Sequence, residues 1–480
     1  MLTAVTLSTI IALARAGALD HAWAQFAAAG YDREEGDPAA LTVKGRLLKD
    51  YALRATDEAE RRGYYLRSAE CYRASAALQP ATYPLINAAT LSLLSGDRAQ
   101  AEEIAREVLE RIAREPDEPE TPYYRAATEA EALLLLGRRE EARGMLEAAV
   151  AAAPRAWEDH ASTLRQFLVI QEVLGGDSAW LDLLRPPRSL HFAADRAAGL
   201  DPDAAAAIPD SDIGFGFGAL AAGAELLTAE ALLGRGAELH VILPTDPKSF
   251  AAAFVDPFGE AWRRRFDHVL AAADSVRAVR PLGRAPDRAG IALADRIAQG
   301  AALLNAERLM GQAAGSPAGA ERGDGGLALL AIRVGGTGAG FEDRLGALRT
   351  ALAGAGSPAL SPHLAGETII AGYADCASAA TAARAVRAGL REQVPLQVAA
   401  HYGLVDRVRD PFSETLRPAG VGAEIVEAVA GATPPGSICV SDDFACVLAA
   451  TGGAPGEACW IGELKAFDGG PAIGLYALRP

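Results

Sequence analysis

Apolar helical segments in the first part of the chain end at glycines with a repeated spacing. After each glycine, a small residue follows five positions later and a small or apolar residue follows nine positions later. Glycine adopts the left-handed conformation that ends a helix, and a small side chain early in the next helix allows close approach. The pattern predicts three helix–turn–helix units: residues 10–15 before Gly17, Ala22 and Phe26; 85–94 before Gly96, Ala101 and Ala105; and 126–136 before Gly137, Ala142 and Leu146.

These units resemble tetratricopeptide repeats. Gly96 and Gly137 lie 41 positions apart, which is longer than the repeat of about 34 residues in that family. The acidic, proline-rich connector at residues 115–120 accounts for the excess. We therefore expect an α-solenoid over residues 1–185 that presents a concave face to a protein partner. A packed helical domain without a partner is the alternative.

The pattern changes at Asp212, where strand-like and helical segments begin to alternate. The glycine-rich run at 213–218 and a helix lead to an apolar strand at 239–244. A further strand at 275–279 and a helix at 292–310 complete the predicted domain. This order is the strand–helix–strand unit of an open parallel sheet. We therefore predict a Rossmann-like α/β domain over residues 186–312.

Several small residues between the first strand and its helix are candidates for a ligand site. Glycines at such a turn bring backbone N–H groups to an anion at a helix N-terminus. The spacing differs from the dinucleotide fingerprint, but it resembles the SLOG group of Rossmann-like domains, which implies a nucleotide or nucleotide-derived ligand. The candidate residues are Gly214, Gly216, Gly218, Gly223 and Glu225. Tight helix-on-sheet packing by the glycines, and a dipole-complementing role for the acid, are the alternatives.

A segment rich in Ala, Gly, Ser and Pro at 313–326 predicts a flexible linker before the last domain. Residues 327–480 then alternate strands and helices in the βαββαβ order of a ferredoxin-like fold. The predicted strands are 327–334, 367–373, 396–401, 437–440, 459–465 and 472–478, and the predicted helices are 341–353, 377–390 and 422–430.

The same residues carry an order of short motifs. His401-Tyr402-Gly403 comes first, a Pro-Gly turn and strand follow at 435–441, Gly462-Glu463-Leu464-Lys465 comes next, and a last strand is at 474–478. This order resembles the C-terminal half of class III nucleotidyl cyclase domains, which make cyclic AMP and cyclic GMP. The resemblance implies a cyclase-type fold, with His401 and Gly403 at structural positions.

Cyclisation in that family needs two divalent ions, and the resemblance places their ligands. The first metal aspartate corresponds to Ala331, and the second corresponds to Glu367, which is the one weak metal candidate. The asparagine and arginine that orient ribose and phosphate correspond to Val421 and Ile425. The remaining positions correspond to His363 for the purine-reading lysine, Glu414 for a base-reading acid, and Lys465 for the triphosphate-binding lysine.

Composition and charge restrict the kinds of partner and the cellular location that we expect. A net charge of −16 argues against a nucleic-acid surface, which needs clustered basic residues. Five irregularly spaced cysteines favour reduced thiols in a cytoplasmic protein, and the sequence predicts no membrane span.

The favoured hypothesis is a cytoplasmic signalling or regulatory protein whose cyclase-like domain does not cyclise. A nucleotide ligand, a protein partner on the repeats and a homodimer through the cyclase-like domain are further expectations. An active purine nucleotide cyclase using Mg²⁺ or Mn²⁺ at an atypical site is the alternative, and a scaffold with purely structural α/β domains is a third hypothesis. For the first hypothesis, Glu367 and Lys465 are the remnants of the catalytic site.

Overall fold

The structure is a computed structural model. It describes residues 5–114, 121–193, 212–279, 285–314, 325–334, 340–390, 396–411, 413–454, 456–467 and 472–479. These residues belong to two compact units, Met1–Pro186 and Pro187–Pro480. The predicted connector at 115–120 and most of the predicted linker, 315–324, lie outside the described residues.

The first unit consists of helices, and successive helices from the first to the eighth pack against each other, whereas the ninth packs on the fifth and seventh. Short 3₁₀ segments at Tyr31–Arg33 and Ala179–Leu184 interrupt or end the array. The helices are α1 (Leu7–Arg15), α2 (Leu19–Ala28), α3 (Pro38–Arg54), α4 (Glu58–Leu78), α5 (Thr82–Ser95), α6 (Arg98–Arg114), α7 (Pro122–Leu135), α8 (Arg139–Ala152) and α9 (Trp157–Leu174).

The glycine-based prediction of the helix pairs is confirmed. Gly17, Gly96 and Gly137 have φ of 81°, 99° and 76°, and each separates the two helices of a predicted pair. The small or apolar residues five and nine positions later are all buried against neighbouring helices. The sequence pattern missed α3, α4 and α9, which lack this glycine spacing.

The second unit begins with a sheet of five parallel strands. A 3₁₀ turn at Asp256–Phe258 lies between two of its helices. The elements are β1 (Arg188–Phe192), β2 (Ile213–Gly218), α10 (Ala224–Gly234), β3 (Glu238–Leu243), α11 (Pro247–Phe254), α12 (Glu260–Ala272), β4 (Ser275–Ala278), α13 (Arg288–Arg308) and β5 (Ala313–Ala314).

The order of this parallel sheet is β4-β3-β2-β1-β5. Strands β1 to β4 are added successively on one side, and β5 then pairs with the other side of β1. The reversal between β1 and β5 is a topological switch point, and helix α13 makes the crossover. An apolar core that includes Leu226, Leu232 and Phe250 packs against one face, and α13 contacts the strands from the other.

A second sheet of seven strands completes this unit. Its order is β13-β14-β12-β9-β6-β8-β7, and a separate hairpin pairs β10 with β11. The elements are β6 (Leu327–Arg333), α14 (Phe341–Gly354), β7 (Leu360–Ala365), β8 (Thr368–Tyr373), α15 (Cys376–Leu390), β9 (Gln397–Gly403), β10 (Asp406–Arg409), β11 (Leu416–Ala419), α16 (Val421–Ala432), β12 (Ile438–Ser441), α17 (Asp442–Ala450), β13 (Ala458–Leu464) and β14 (Ile473–Leu478).

The predicted strands and helices of the C-terminal region all have counterparts in the structure. The sequence pattern missed α17 and the β10–β11 hairpin. The neighbour order β9-β6-β8-β7 is the arrangement of a βαββαβ fold. Helix α16 covers one face of this sheet, where Val426 and Val429 pack on residues of β6 and β9. Within the described ranges, no helix has both the length and the apolar composition needed to cross a bilayer.

Candidate functional site

The three glycines predicted to form a ligand-binding turn lie inside strand β2 instead. A Cβ at Gly216 would lie 2.6 Å from the Leu232 side chain, and a Cβ at Gly218 would lie 2.4 Å from the Phe192 carbonyl oxygen. At Gly214 the neighbour is the ring of Pro187, at 2.6 Å. The prediction of a turn is therefore wrong, because all three positions allow neighbouring groups to pack directly on the strand. Ligand binding at these residues stays a prediction.

Gly223 and Glu225 do lie between β2 and α10. Gly223 precedes the helix with φ of 100°. The buried Glu225 carboxylate accepts a hydrogen bond from the Ala221 backbone N–H at 2.9 Å. A carboxylate in the first turn of a helix is stabilised by the helix dipole. The geometry of Glu225 thus favours stabilisation of the loop.

A row of polar and aromatic residues crosses the parallel sheet, and the sequence pattern did not identify it as a row. His191, Phe217, His240 and Ser275 lie side by side on four adjacent strands. The His240 ring stacks on Phe217, and its Nδ1 lies 2.8 Å from the Ser275 hydroxyl. The Nε2 of His191 is buried without a hydrogen-bond partner in the described part of the chain, and burial lowers the His191 pKa.

The position of the first cyclase-type metal ligand lies in the apolar core. Ala331 is fully buried on β6, between Ile370 and Ala399 of the neighbouring strands, under helix α16. Glu367 is an exposed residue of the β7–β8 turn. Its carbonyl accepts the Val334 N–H at 3.1 Å, so it lies three residues along β6 from Ala331, or about 10 Å.

These residues do not fit a pair of divalent ions. Two-metal sites hold their ions about 4 Å apart between shared carboxylates, whereas Glu367 is a single exposed carboxylate and Ala331 has no donor. In the described residues, no three His, Cys, Asp or Glu side chains come together in a way that could hold a metal ion.

The two predicted catalytic remnants are not brought together in one chain. Glu367 precedes β8, whereas exposed Lys465 follows β13, five strands away in the same sheet, which corresponds to about 24 Å. Successive pairings make β8 and β13 run in the same direction. The start of one and the end of the other therefore lie at opposite ends of the sheet.

The other predicted positions are also spread out. Val421 is the exposed first residue of α16, and Ile425 packs against the core one turn later. Glu414 lies exposed in the β10–β11 turn with a φ of 55°. His363 on β7 lines a mostly apolar cavity of about 400 Å³ together with residues of α14, and burial lowers its pKa.

A charged cluster joins the two sheets of the second unit, and no sequence motif predicted it. Arg277 of β4 donates from Nη1 to Asp442 Oδ2 at 2.9 Å and also pairs with Asp443. Burial raises the pKa values of both carboxyls, and Arg277 opposes that rise. Beside them, the buried His401 Nδ1 lies 2.8 Å from the Ser441 hydroxyl. Burial lowers the pKa of His401 to about 4.

Comparison with known proteins finds a match to a family of repeats at the start of the chain. A family model described as "Tetratricopeptide Repeats-Sensor" (TPR-S) matches residues 4–92. No curated protein matches the chain. The N-terminal repeats are therefore of the tetratricopeptide type.

Solved structures similar to part of the chain include nucleotidyl cyclases. The adenylyl cyclase CyaB from P. aeruginosa is 13% identical, with 32% of this chain and 94% of that chain covered and a TM-score of 0.27. An adenylate cyclase from Trypanosoma brucei is 9% identical, with coverages of 34% and 90% and a TM-score of 0.26. The guanylyl cyclase Cya2 is 12% identical, with coverages of 32% and 91% and a TM-score of 0.25.

A buried polar network crosses four helices of the first unit, α3, α5, α7 and α9. The Glu131 carboxylate of α7 accepts from Thr90 of α5 at 2.5 Å and from Gln166 of α9 at 3.0 Å. Lys49 of α3 reaches the Gln166 side-chain oxygen at 3.5 Å. Burial raises the pKa of Glu131 and lowers that of Lys49. Four helices are thus tied together by polar side chains that the apolar pattern could not reveal.

Proposed function

We propose that this chain is a signalling or regulatory protein in which tetratricopeptide-type repeats engage a protein partner and a cyclase-type C-terminal module does not cyclise nucleotides. The repeats are supported by the family match over residues 4–92. The second part of the proposal, that the C-terminal module does not cyclise nucleotides, is supported by residues of the C-terminal sheet.

The observation that carries the proposal is the placement of Ala331. An aspartate at this position would bury its carboxylate among Ile370, Ala399 and Val426, where an unpaired charge is strongly disfavoured. The alanine and its surroundings therefore agree, because the position is fully buried within an apolar cluster of the core.

The test is a nucleotide cyclase assay on the purified full chain. ATP or GTP is incubated with Mg²⁺ or Mn²⁺, and cyclic products are measured by mass spectrometry. We expect no product beyond the level seen with the Glu367→Ala variant. Glu342→Ala, which removes an exposed carboxylate of α14, is the matched control. Turnover that disappears in Glu367→Ala and persists in Glu342→Ala would establish the alternative, an active cyclase with an atypical metal site.

A nucleotide-derived ligand of the parallel sheet is favoured by a separate observation, the reversal of strand order between β1 and β5. Ligands of open parallel sheets bind at the carboxyl ends of the strands beside such a reversal. Hydrogen exchange of the full chain with and without ATP, GTP or NAD tests this proposal. Protection of residues 219–223, at the carboxyl end of β2, is expected. Unchanged exchange there with all three compounds contradicts the proposal.

A further inference from the structure

The two sheets of the second unit are joined by helix-on-helix contact. Helix α13, which makes the last crossover of the parallel sheet, packs against α17 of the C-terminal sheet. Within this contact, a Cβ on Gly300 would lie 1.8 Å from the Cys446 carbonyl oxygen. The backbones of the two helices are therefore in direct contact, as only a glycine permits. A small change at this contact must move one helix relative to the other.

Arg277 supplies a second connection beside this contact. It lies on β4, the edge strand of the parallel sheet, and its guanidinium reaches two carboxylates, Asp442 and Asp443. These are the first two residues of α17. Their side chains are 23% and 16% exposed, and that of Arg277 is 33% exposed. The pairing is therefore largely shielded, and a planar guanidinium can serve both carboxylates at once.

The N-terminus of α17 is in turn connected to the centre of the C-terminal sheet. Ser441 caps the helix, since its hydroxyl accepts the Phe444 N–H at 3.3 Å. The same hydroxyl lies 2.8 Å from Nδ1 of His401 on β9. The path from β4 to β9 thus runs through Arg277, the two aspartates, the cap and the imidazole. Every step is a direct polar or covalent connection.

We propose that Arg277 is an intramolecular clamp through which the parallel sheet fixes the N-terminus of α17 and the position of His401 in the C-terminal sheet. Two adjacent carboxylates at 16–23% exposure repel each other without a cation between them. Release of Arg277 therefore frees the start of α17. A displacement of edge strand β4 is transmitted to β9 by the same route. This inference does not depend on whether the C-terminal module has catalytic activity.

The first test compares two arginines that each pair with two carboxylates. Arg263 binds Asp256 and Asp267, but all three lie within the parallel-sheet region and are at least 40% exposed. In the full chain, Arg277→Ala is expected to speed amide exchange of residues 438–450 about tenfold. Residues 360–365 at the far edge of the sheet should be unaffected. Arg263→Ala should leave both segments unchanged.

The second test reads the state of His401 directly. Burial is the main reason that its pKa is low, Arg277 lowers it further, and Asp442 raises it. Loss of Arg277 therefore leaves burial and Asp442 acting alone, and the pKa of His401 should rise toward that of ordinary histidine. Carbon-labelled histidine NMR in the full chain measures it. In Arg263→Ala, the titration of His401 should match that of the wild type.

A conservative variant and a charge exchange distinguish loss of the ion pairs from general unfolding of the second unit. Arg277→Lys retains one charge without the fork, so the exchange rate and the His401 pKa should fall between those of wild type and Arg277→Ala. The exchanged pair Arg277→Asp with Asp443→Arg should recover part of the protection lost in Arg277→Asp alone. The clamp is refuted if Arg277→Ala changes neither the amide exchange of α17 nor the titration of His401. It is also refuted if Arg277→Ala and Arg277→Lys lose structure equally throughout the second unit.

Discussion

Replacement of Gly300 by alanine is the most direct perturbation of the contact between α13 and α17. In an isolated helix, the change is favourable, because alanine loses less backbone entropy than glycine on folding, by about 0.5–1 kcal/mol. In this chain, the added methyl would lie 1.8 Å from the Cys446 carbonyl oxygen, where about 3.4 Å is the start of ordinary contact. The helices must therefore separate by roughly 1.5 Å.

The cost of that separation exceeds the gain in helix propensity. Forcing one methyl into a well-packed contact costs about 1–3 kcal/mol, and the obstacle at Gly300 is backbone, which cannot rotate away as a side chain can. After the propensity gain is subtracted, we expect Gly300→Ala to destabilise the contact by about 0.5–2 kcal/mol. The matched control is Gly346→Ala in α14, where nothing lies within 4 Å of the added methyl. The control should therefore show the propensity gain alone.

Thiol labelling of Cys446 reports on this contact specifically. Cys446 is a free, buried cysteine on the α17 side of the contact, so a thiol reagent reaches it only when the packing around α17 opens. Gly300→Ala should accelerate labelling of Cys446, read by peptide mass spectrometry, by about tenfold, and Gly346→Ala should not. Equal labelling rates in wild type and Gly300→Ala, with a stability gain equal to that of Gly346→Ala, would refute the close helix contact.

Three further predictions concern caps and buried ionisable groups. Gly137→Ala forces alanine into a left-handed conformation with φ of 76° and should lower the free energy of unfolding by about 1 kcal/mol, whereas Gly144→Ala, at an open helical position, should raise it in the same denaturation assay. Burial raises the pKa of the Glu131 carboxyl above its ordinary 4.5, so the folded state binds the carboxyl proton more tightly than the unfolded state does. The free energy of unfolding of the wild type should therefore fall as pH rises above about 4.5, and its dependence on pH should be flatter in Glu131→Gln. The contribution of His401 to stability changes with pH in the opposite direction, because its folded pKa of about 4 lies below the ordinary value near 6.5. Wild type should lose stability as pH falls from about 6.5 to 4, by up to about 3 kcal/mol, and His401→Asn, which can keep a hydrogen bond to Ser441, should lose less.

Helix ends were predictable from the sequence where the backbone conformation of a single residue determines them. Glycine at a helix end requires a left-handed backbone, so Gly17, Gly96 and Gly137 marked helix boundaries directly. Helices α3 and α4 end at Ala55 and Gln79 in extended conformations instead. No comparable local signal marks those ends.

The glycines of β2 show where local reasoning fails. A run of alternating glycines is typical of both a ligand-binding turn and a strand under close packing. The choice between them depends on Phe192 and Leu232, which lie outside the run and reach Gly218 and Gly216 only in the folded chain. The sequence contained both partners, but nothing in their spacing indicated that they meet.

The clamp was beyond sequence reasoning for a related reason. Arg277 and Asp442 are 165 positions apart, and neither belongs to a recognisable motif. In the sequence, Asp442 and Asp443 are typical of acidic residues in the first turn of a helix, where they favour the helix dipole. Arg277 of β4 reaches these carboxylates of α17 only in the folded chain, so the pairing follows from tertiary structure.

The separation of Glu367 and Lys465 constrains how the C-terminal module could use both residues in one site. Since the two residues lie at opposite ends of one sheet, any site that uses both must take them from two copies of the chain. In a twofold homodimer, each of the two equivalent sites would receive one Glu367 and one Lys465. Each would still have the buried Ala331 in place of the first metal ligand. Dimerisation would therefore bring Glu367 and Lys465 together without supplying the pair of carboxylates that two ions need, so a dimer in solution would not by itself be evidence for cyclase activity.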